Sequence, residues 1–206
     1  MKKNKTFLLL FIFCSTLTMV AQEPADYVNP FIGTSNYGAT FPGPIAPRGM
    51  ASISPFNVAG AKNTLEKDSQ WLSNPYVNEN TFLTGFSHVN LSGVGCPDLG
   101  VLLLMPTTGE LETNHLKYGS TYKNEVAKAG YYSTHINKYD VKGEFTASKR
   151  VGVSKFSFPK GEANILLNLG LGLTNEQGAM VQIISDTEIQ GMRSVGSFCY
   201  NSPEAA

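Results

Sequence analysis

The chain has 206 residues, with 16 basic and 16 acidic side chains. Three of the basic residues are lysines within the first 21 positions, which leaves 13 basic against 16 acidic residues and a net charge of about −3 for the rest. This balance argues against binding to nucleic acid or to an anionic membrane through a basic surface.

The first 21 residues have the order of a secretory signal peptide. Lysines precede an apolar run from Phe7 to Phe13, and a short segment then leads to Ala21. The run is too short to span a bilayer, which takes roughly 20 apolar residues. We predict cleavage after Ala21 and export of residues 22–206 to the periplasm or the extracellular space, without a membrane span. A lipoprotein modified at Cys14 is the less favoured alternative, because bulky Phe13 precedes that cysteine.

Two long irregular segments follow, Asn29–Pro55 and Asn57–Gly95, both rich in Gly, Pro, Asn and Ser. Loops of this length in a compact domain are usually functional or disordered. Their aromatic content argues against disorder. We therefore expect both segments to be functional loops.

Short apolar segments in the rest of the chain predict strands. Val101–Met105 is a continuous apolar run, which suits a strand covered on both faces. Apolar positions between Phe145 and Phe158 alternate, with a phase change at Lys149 and Arg150 that predicts a turn or bulge. The clearest period of two predicts a strand whose buried face consists of Ala163, Ile165, Leu167, Leu169, Leu171 and Leu173. Two more predicted strand segments are Tyr131–Tyr139 and Val181–Arg193.

Many short strands without a helical period predict an all-β protein, an antiparallel β-sandwich with long irregular loops. Gly196–Tyr200 begins another apolar segment, which only six residues follow. A strand that stops there would leave backbone groups unsatisfied. We therefore expect a sandwich truncated at its C-terminus. The two cysteines outside the leader, Cys96 and Cys199, could pair in an oxidising compartment, but their spacing does not settle it.

Three segments carry the candidate site residues. The first, Val28–Met50, holds glycines and prolines that allow close backbone approach, and a rigid edge loop explains it equally well. The second contains Trp71, followed by amides and a tyrosine at Asn74, Tyr76, Asn78 and Asn80. A tryptophan ring among amides suits a sugar, because the ring stacks on the pyranose and the amides bond its hydroxyls. A buried structural tryptophan is the competing interpretation.

The third segment, Gly85–Asp98, is dense in Ser, His, Asn, Cys and Gly. A nucleophile at Ser92 or Cys96 with His88 as base is disfavoured, because neither Gly-x-Ser-x-Gly nor a third orienting group is present. A zinc site lacks a second ligand pair. A pair of glycosidase carboxylates is not evident either, and Asp68 and Asp98 are better explained as solvated turn residues. We expect no catalytic residue and no metal ligand in this chain.

At these segments the sequence resembles glycoside hydrolase family 92, the exo-acting α-mannosidases. The resemblance covers about residues 27 to 200, and Asn90 stands where many members have a second histidine. Its motifs are Tyr27–Thr34, Thr40–Gly43, Gly85–His88, Leu91–Asp98 and Ala129–Ser133.

The resemblance implies a two-domain enzyme that hydrolyses terminal α-mannosides with inversion. Its N-terminal domain is a β-sandwich of the galactose-mutarotase-like supersandwich type. The general acid, the general base and the ligands of an essential calcium ion lie mainly in an (α/α)6 helical barrel, which this chain lacks. The sandwich contributes loops to the pocket for mannose-containing glycans. The implied substrate-binding residues are Thr40, Phe41, Trp71, His88, Ser92 and Cys96.

Two functions follow as hypotheses. In the first, the chain is the N-terminal domain of an exo-α-mannosidase and is inactive without the barrel. In the second, it is a stand-alone carbohydrate-binding or surface module, whose mannan binding would be lost with Trp71→Ala. The first is favoured, because half of a sugar pocket seldom binds well.

Overall fold

A computed structural model describes residues 23–35, 38–59, 74–93, 95, 98–173 and 175–196. Regular structure there is almost entirely strand, which confirms the all-β prediction. The two short helical elements are a 3-10 turn (Pro24–Tyr27) and the one-turn helix α1 (His115–Tyr118). The strands are β1 (Ser54–Phe56), β2 (Phe82–Leu83), β3 (Gly85–Ser87), β4 (Val89–Asn90), β5 (Leu99–Val101), β6 (Leu103–Thr108), β7 (Ser120–Lys128), β8 (Tyr131–Ile136), β9 (Val141–Ala147), β10 (Gly152–Ser157), β11 (Ala163–Asn168), β12 (Asn175–Ser185) and β13 (Glu188–Gly196).

Two antiparallel sheets form the sandwich. One has the order β1-β3-β6-β11 and the other β10-β9-β8-β7-β2. Phe86 of the first sheet meets Phe145 of the second, with ring centroids 4.2 Å apart. Around this pair lies a core that includes Ile53, Met105 and Tyr132, each 0% exposed. The predicted antiparallel β-sandwich is thus confirmed.

No helix among the described residues has the length and apolar character needed to cross a membrane.

The predicted strand Val101–Met105 is in fact the junction of two strands. Leu102 has φ 57° between β5 and β6, a left-handed conformation that ends one strand before the next begins. The β5 strand pairs with β4, whereas β6 enters the four-stranded sheet. An apolar run cannot reveal such a break, because every residue in it is a good strand former.

The predicted buried face of Ala163–Leu173 was wrong within β11, which ends at Asn168, whereas Leu171 and Leu173 beyond it are buried as predicted. In β11 the partner of Leu166 is Met105, and Leu166 packs against the core between the sheets, whereas Ile165 is 48% exposed. Leu167 pairs with Leu104 and lines a cavity on the outer face. The face of β11 that includes Leu166 also carries Asn164 and Asn168, so the alternation indicated the more apolar face and not the inner one.

The second predicted loop, Asn57–Gly95, contains three short strands, and β3 pairs with both β1 and β6 inside a sheet. Sequence reasoning missed β3 because its buried residues include small and polar ones, Gly85 and Ser87. The predicted turn at Lys149 and Arg150 is present between β9 and β10. Val181–Arg193 is not one strand but most of the β12–β13 hairpin. The prediction for residues 197–206 lies outside the described residues.

Candidate functional site

The three segments singled out in the sequence meet in space. The Gly93 N–H donates to the Ala39 carbonyl oxygen at 2.6 Å, which joins the third segment to the first. The Asn78 N–H donates to the Thr34 carbonyl oxygen at 2.9 Å, which joins the second segment to the first. Both are hydrogen bonds between backbone groups, so they attach the first segment to the second and to the third.

Thr40 and Phe41 lie in the part of the first segment next to Ala39, and both are half-buried. The Thr40 hydroxyl donates to the Ile32 carbonyl oxygen at 2.9 Å, so it closes its own loop. Ser92 is exposed and directly precedes Gly93. Three of the predicted site residues are therefore brought to one place.

Gly43 fixes the path of the first segment beside the sheet. A Cβ at this position would lie 1.7 Å from the Ile53 carbonyl oxygen, which is backbone and cannot rotate away. The Ile53 N–H also donates to the Pro44 carbonyl oxygen at 3.1 Å. The close approach therefore requires glycine.

We expect Gly43→Ala to lower the free energy of unfolding by about 1–3 kcal/mol, because the added methyl group forces the loop off the sheet. Gly95→Ala is the matched control, since a Cβ there meets nothing within 4 Å. Chemical denaturation of both variants checks the difference. Equal stability of the two variants would show that the loop is not seated as described.

Asn90, the departure from the family pattern, has a structural environment. It is 7% exposed, and its side-chain amide donates to the Ser52 hydroxyl at 3.1 Å. The Ser87 hydroxyl donates to the side-chain oxygen Oδ1 of Asn90 at 2.5 Å. Asn90 therefore ties β4 to β3 and to the neighbourhood of β1 instead of facing solvent.

The His88 side chain is separate from Thr40, Phe41 and Ser92. It lines an open apolar cavity of about 300 Å³ whose walls include Leu102, Leu104 and Leu167, and the other three residues are not among them. Its Nδ1 lies 3.0 Å from both the Phe86 and the Leu102 carbonyl oxygens, so this nitrogen carries the proton.

Burial lowers the pKa of the His88 imidazole, which favours the neutral ring. Its Nε2 lies 3.4 Å from the Ser154 hydroxyl oxygen, a neighbour 66 positions away that no local motif indicates. Ser92 is not its partner. The arrangement therefore gives no support to a nucleophile at Ser92 with His88 as its base.

The amides after Trp71 are mostly internal, which corrects the prediction that they face a sugar. Asn74 and Asn80 are 3% and 2% exposed, and Asn80 donates to the Asn57 carbonyl oxygen at 3.0 Å. Tyr76 is also buried, whereas Asn78 is exposed. Buried amides must be satisfied by the chain itself, so only Asn78 remains available. Trp71, Cys96 and Cys199 lie outside the described residues.

Sequence reasoning missed a half-buried carboxylate beneath the second segment. Asn124 has φ 56° at a bulge in β7, and the bulge turns Glu125 toward the interior. The Tyr132 hydroxyl donates to Glu125 Oε1 at 2.6 Å, and the Tyr76 hydroxyl donates to the same oxygen at 3.0 Å. Burial raises the pKa of the Glu125 carboxyl. This cluster joins the second segment to the five-stranded sheet.

The described residues contain no group of three or more His, Cys, Asp or Glu side chains able to hold a metal ion. Asp98, one of the two acidic residues considered from the sequence, accepts the Leu99 N–H at 2.7 Å on Oδ1. Asp68 lies outside the described residues.

Both the sequence and the structure of this chain are similar to those of known proteins. The family model for the glycosyl hydrolase family 92 N-terminal domain matches residues 27–205. The family GH92 α-mannosidase BT3965 from Bacteroides thetaiotaomicron is similar in structure, with TM-score 0.74 and 33% identity, over 85% of this chain and 24% of that one. The GH92 family glycosyl hydrolase ccman5 gives TM-score 0.69 and 25% identity, again over 85% and 24%.

A sequence relative, an uncharacterized secreted glycosidase from Arthroderma benhamiae, is 27% identical over 188 residues, which are 82% of this chain and 23% of that protein. The chain thus spans about a quarter of the length of these relatives.

Proposed function

The chain belongs to glycosyl hydrolase family 92, whose N-terminal domain it represents, and from this we propose that it supplies the scaffold and part of the substrate pocket of a secreted α-mannosidase. The reaction is hydrolysis of terminal α-mannosides with inversion. The observation that carries the proposal is the family match over residues 27–205 together with the structural similarity to an α-mannosidase. The meeting of the three loop segments supports it.

In this proposal the joined loops form one rim of a mannose pocket. Thr40, Phe41 and Ser92 lie beside the Gly93–Ala39 contact, where a half-buried ring and an exposed hydroxyl offer the mixed surface that a sugar needs. For Trp71 and Cys96, which lie outside the described residues, the family resemblance alone implies a role in binding the sugar. His88 acts indirectly, because its Nδ1 bonds fix the strands from which the Ser92 loop leaves.

The acid, the base and the calcium ion are assigned to the remaining polypeptide of a family 92 enzyme. Inverting glycosidases place two carboxyl groups roughly 6.5–9.5 Å apart, with a water between one of them and the sugar. Glu125 is assigned neither the acid nor the base role, because its Oε1 already accepts two tyrosine hydroxyls inside the protein.

Export is the second part of the proposal. The first 21 residues have the pattern of a signal peptide, and the Arthroderma relative is described as secreted. The pocket therefore meets mannose-containing glycans outside the cytoplasm.

We expect the purified chain, residues 22–206, to show no turnover of an aryl α-mannoside or of mannobiose above the buffer rate, with calcium supplied. The reason is that acid and base both come from elsewhere. Turnover is measured as release of the aryl group and of mannose. The Bacteroides enzyme is the positive control. Hydrolysis by this chain that persists after repeated purification would contradict the assignment of the acid and the base to the remaining polypeptide.

A further inference from the structure

Among the described residues, the β12–β13 hairpin forms a sheet of two strands. In the described part of the chain β12 pairs only with β13, and every residue from 177 to 192 is exposed. A two-stranded hairpin alone in water is marginally stable at best, and independent stability takes three or more strands or packing on an apolar face. The open cavity of about 300 Å³ between the hairpin and the outer face of β6 and β11 shows that the packing underneath is incomplete.

The hairpin is also unusually apolar for an exposed element. Ile183 is 78% exposed, Met180 58% and Ile189 55%. Between residues 177 and 192 the only charged side chains are Asp186 and Glu188, both near the tip, and there is no lysine, arginine or proline. Such an edge lacks the residues with which native sheets prevent pairing with another chain.

The other sheet edges are better protected. Pro55 lies in β1 and Lys155 in β10, and β2 is only two residues long. The remaining edge strands in the described part are β4 with two residues, β5 with three, β11 with six and β13 with nine, against the eleven of β12. Of these, β13 carries Glu188 and Arg193. The long edge of β12 is therefore the surface most able to accept a further strand.

The sequence of β12 is self-complementary about Gln182. Reading outward in both directions, Val181 and Ile183 come first, Met180 and Ile184 next, and Ala179 and Ser185 after them. An antiparallel copy centred on Gln182 places Val181 opposite Ile183 and Gln182 opposite itself. Residues that face each other in an antiparallel pair lie on the same side of the sheet, so Val181 and Ile183 of the two copies meet on one face. Ile184 lies at a register irregularity of β12 between Ile183 and Ser185, so the regular part of the pairing is centred on residues 181–183.

Charge favours the same arrangement. In the antiparallel pair the acidic tip of one hairpin, at Asp186, lies beside uncharged Gly178 of the other copy. A parallel pair would instead set Asp186 beside Asp186, and like charges directly opposite are unfavourable. The two-fold arrangement is also closed, because it uses the same edge on both copies.

We propose that the β12 edge is a homodimer interface, at which two copies of this chain pair antiparallel about Gln182 into one four-stranded sheet. The proposal goes beyond the proposed enzymatic function and does not depend on it.

Cysteine cross-linking at the axis tests the proposal. In mature chain carrying Cys96→Ser and Cys199→Ser, Gln182→Cys brings its thiol to the two-fold axis, where facing Cα atoms about 4.5–5.5 Å apart are within reach of a disulfide. Gln190→Cys is the matched control, because Gln190 faces Gln182 within one hairpin but lies on β13. Mild oxidation is expected to give at least tenfold more covalent dimer for Gln182→Cys. Equal yields, or no dimer from either variant, overturn the proposal.

Light scattering coupled to size exclusion gives an independent measurement on the unlabelled mature chain. A dimer is expected, and Ile183→Lys should weaken it at least tenfold, whereas Val153→Lys, at a 52% exposed position on β10, should leave it unchanged. Circular dichroism checks that both variants are folded. A monomer at all concentrations overturns the proposal, as do open-ended larger assemblies and an equal effect of the two lysines.

Discussion

Asn57→Ala is expected to lower the free energy of unfolding by about 4 kcal/mol, an unusually large loss for one side chain. Asn57 is 0% exposed and connects the second segment to the sandwich. Its amide nitrogen lies 2.8 Å from the Val77 carbonyl oxygen and 2.7 Å from the Tyr122 hydroxyl oxygen, and its carbonyl oxygen accepts the Val77 N–H at 2.8 Å. Alanine would leave the buried Val77 N–H without its acceptor. It would also remove one hydrogen bond each from the Val77 carbonyl oxygen and the Tyr122 hydroxyl, which keep their bonds to Asn80.

Urea denaturation followed by circular dichroism measures this loss. Asn137→Ala is the control, because Asn137 is exposed and its amide makes one side-chain bond, to the Thr121 hydroxyl at 2.9 Å. A change within about 0.5 kcal/mol is expected there. Similar losses for both variants would mean that the Asn57 network does not hold the second segment.

Glu125→Leu is expected to cost about 3 kcal/mol, because it leaves the Tyr76 and Tyr132 hydroxyls without their acceptor in the interior. Glu125→Gln should cost much less at neutral pH, since its amide oxygen still accepts one hydroxyl and no charge is buried. Thermal or chemical denaturation of the two variants separates the lost hydrogen bonds from the lost charge. Equal costs would contradict this explanation.

The pH dependence of the same site has a defined sign. Burial raises the pKa of the Glu125 carboxyl, opposed by its tyrosine hydrogen bonds. Between its unfolded and its folded pKa the folded chain binds more protons than the unfolded chain. The contribution of Glu125 to stability is therefore fully present below the unfolded pKa and is lost as pH rises through this window.

Glu125→Gln should remove that slope from a plot of stability against pH. Glu144 is the contrasting case: a hydrogen bond from Lys142, then one from Tyr131, lowers its pKa, so its contribution is present above the unfolded pKa and lost on acidification. Glu144→Gln should thus change the slope in the opposite direction. An unchanged pH profile for Glu125→Gln would contradict the burial of the carboxylate.

The fold was predictable where side-chain alternation and burial agree. Phe145 and Phe156, on strands either side of the Lys149–Arg150 turn, pack into the aromatic core with ring centroids 5.7 Å apart. Prediction failed at Leu102, whose left-handed backbone leaves no trace in an apolar run. It failed again at Ile165, because the more apolar face of β11 is the outer one, and the inner face carries Asn164 and Asn168 beside Leu166.

The candidate site was predictable as segments, and only partly as side chains. Composition and the family resemblance identified three loops, and these loops meet through Gly93 and Thr34. The direction of each side chain depends on partners far along the chain. Asn80 donates to the carbonyl oxygen of Asn57, 23 positions away. Glu125 is turned inward by a bulge that cannot be recognised in the sequence of β7.

Transfer of residues 27–205 into the Bacteroides α-mannosidase, in place of the segment they match, tests the central claim most directly. The measurement is kcat/KM for an aryl α-mannoside, compared with the Bacteroides polypeptide lacking that segment. Activity well above that of the shortened polypeptide is expected, because this chain would complete a pocket whose acid and base are already present. A folded chimera no more active than the shortened polypeptide would contradict the assignment of these loops to a mannoside pocket.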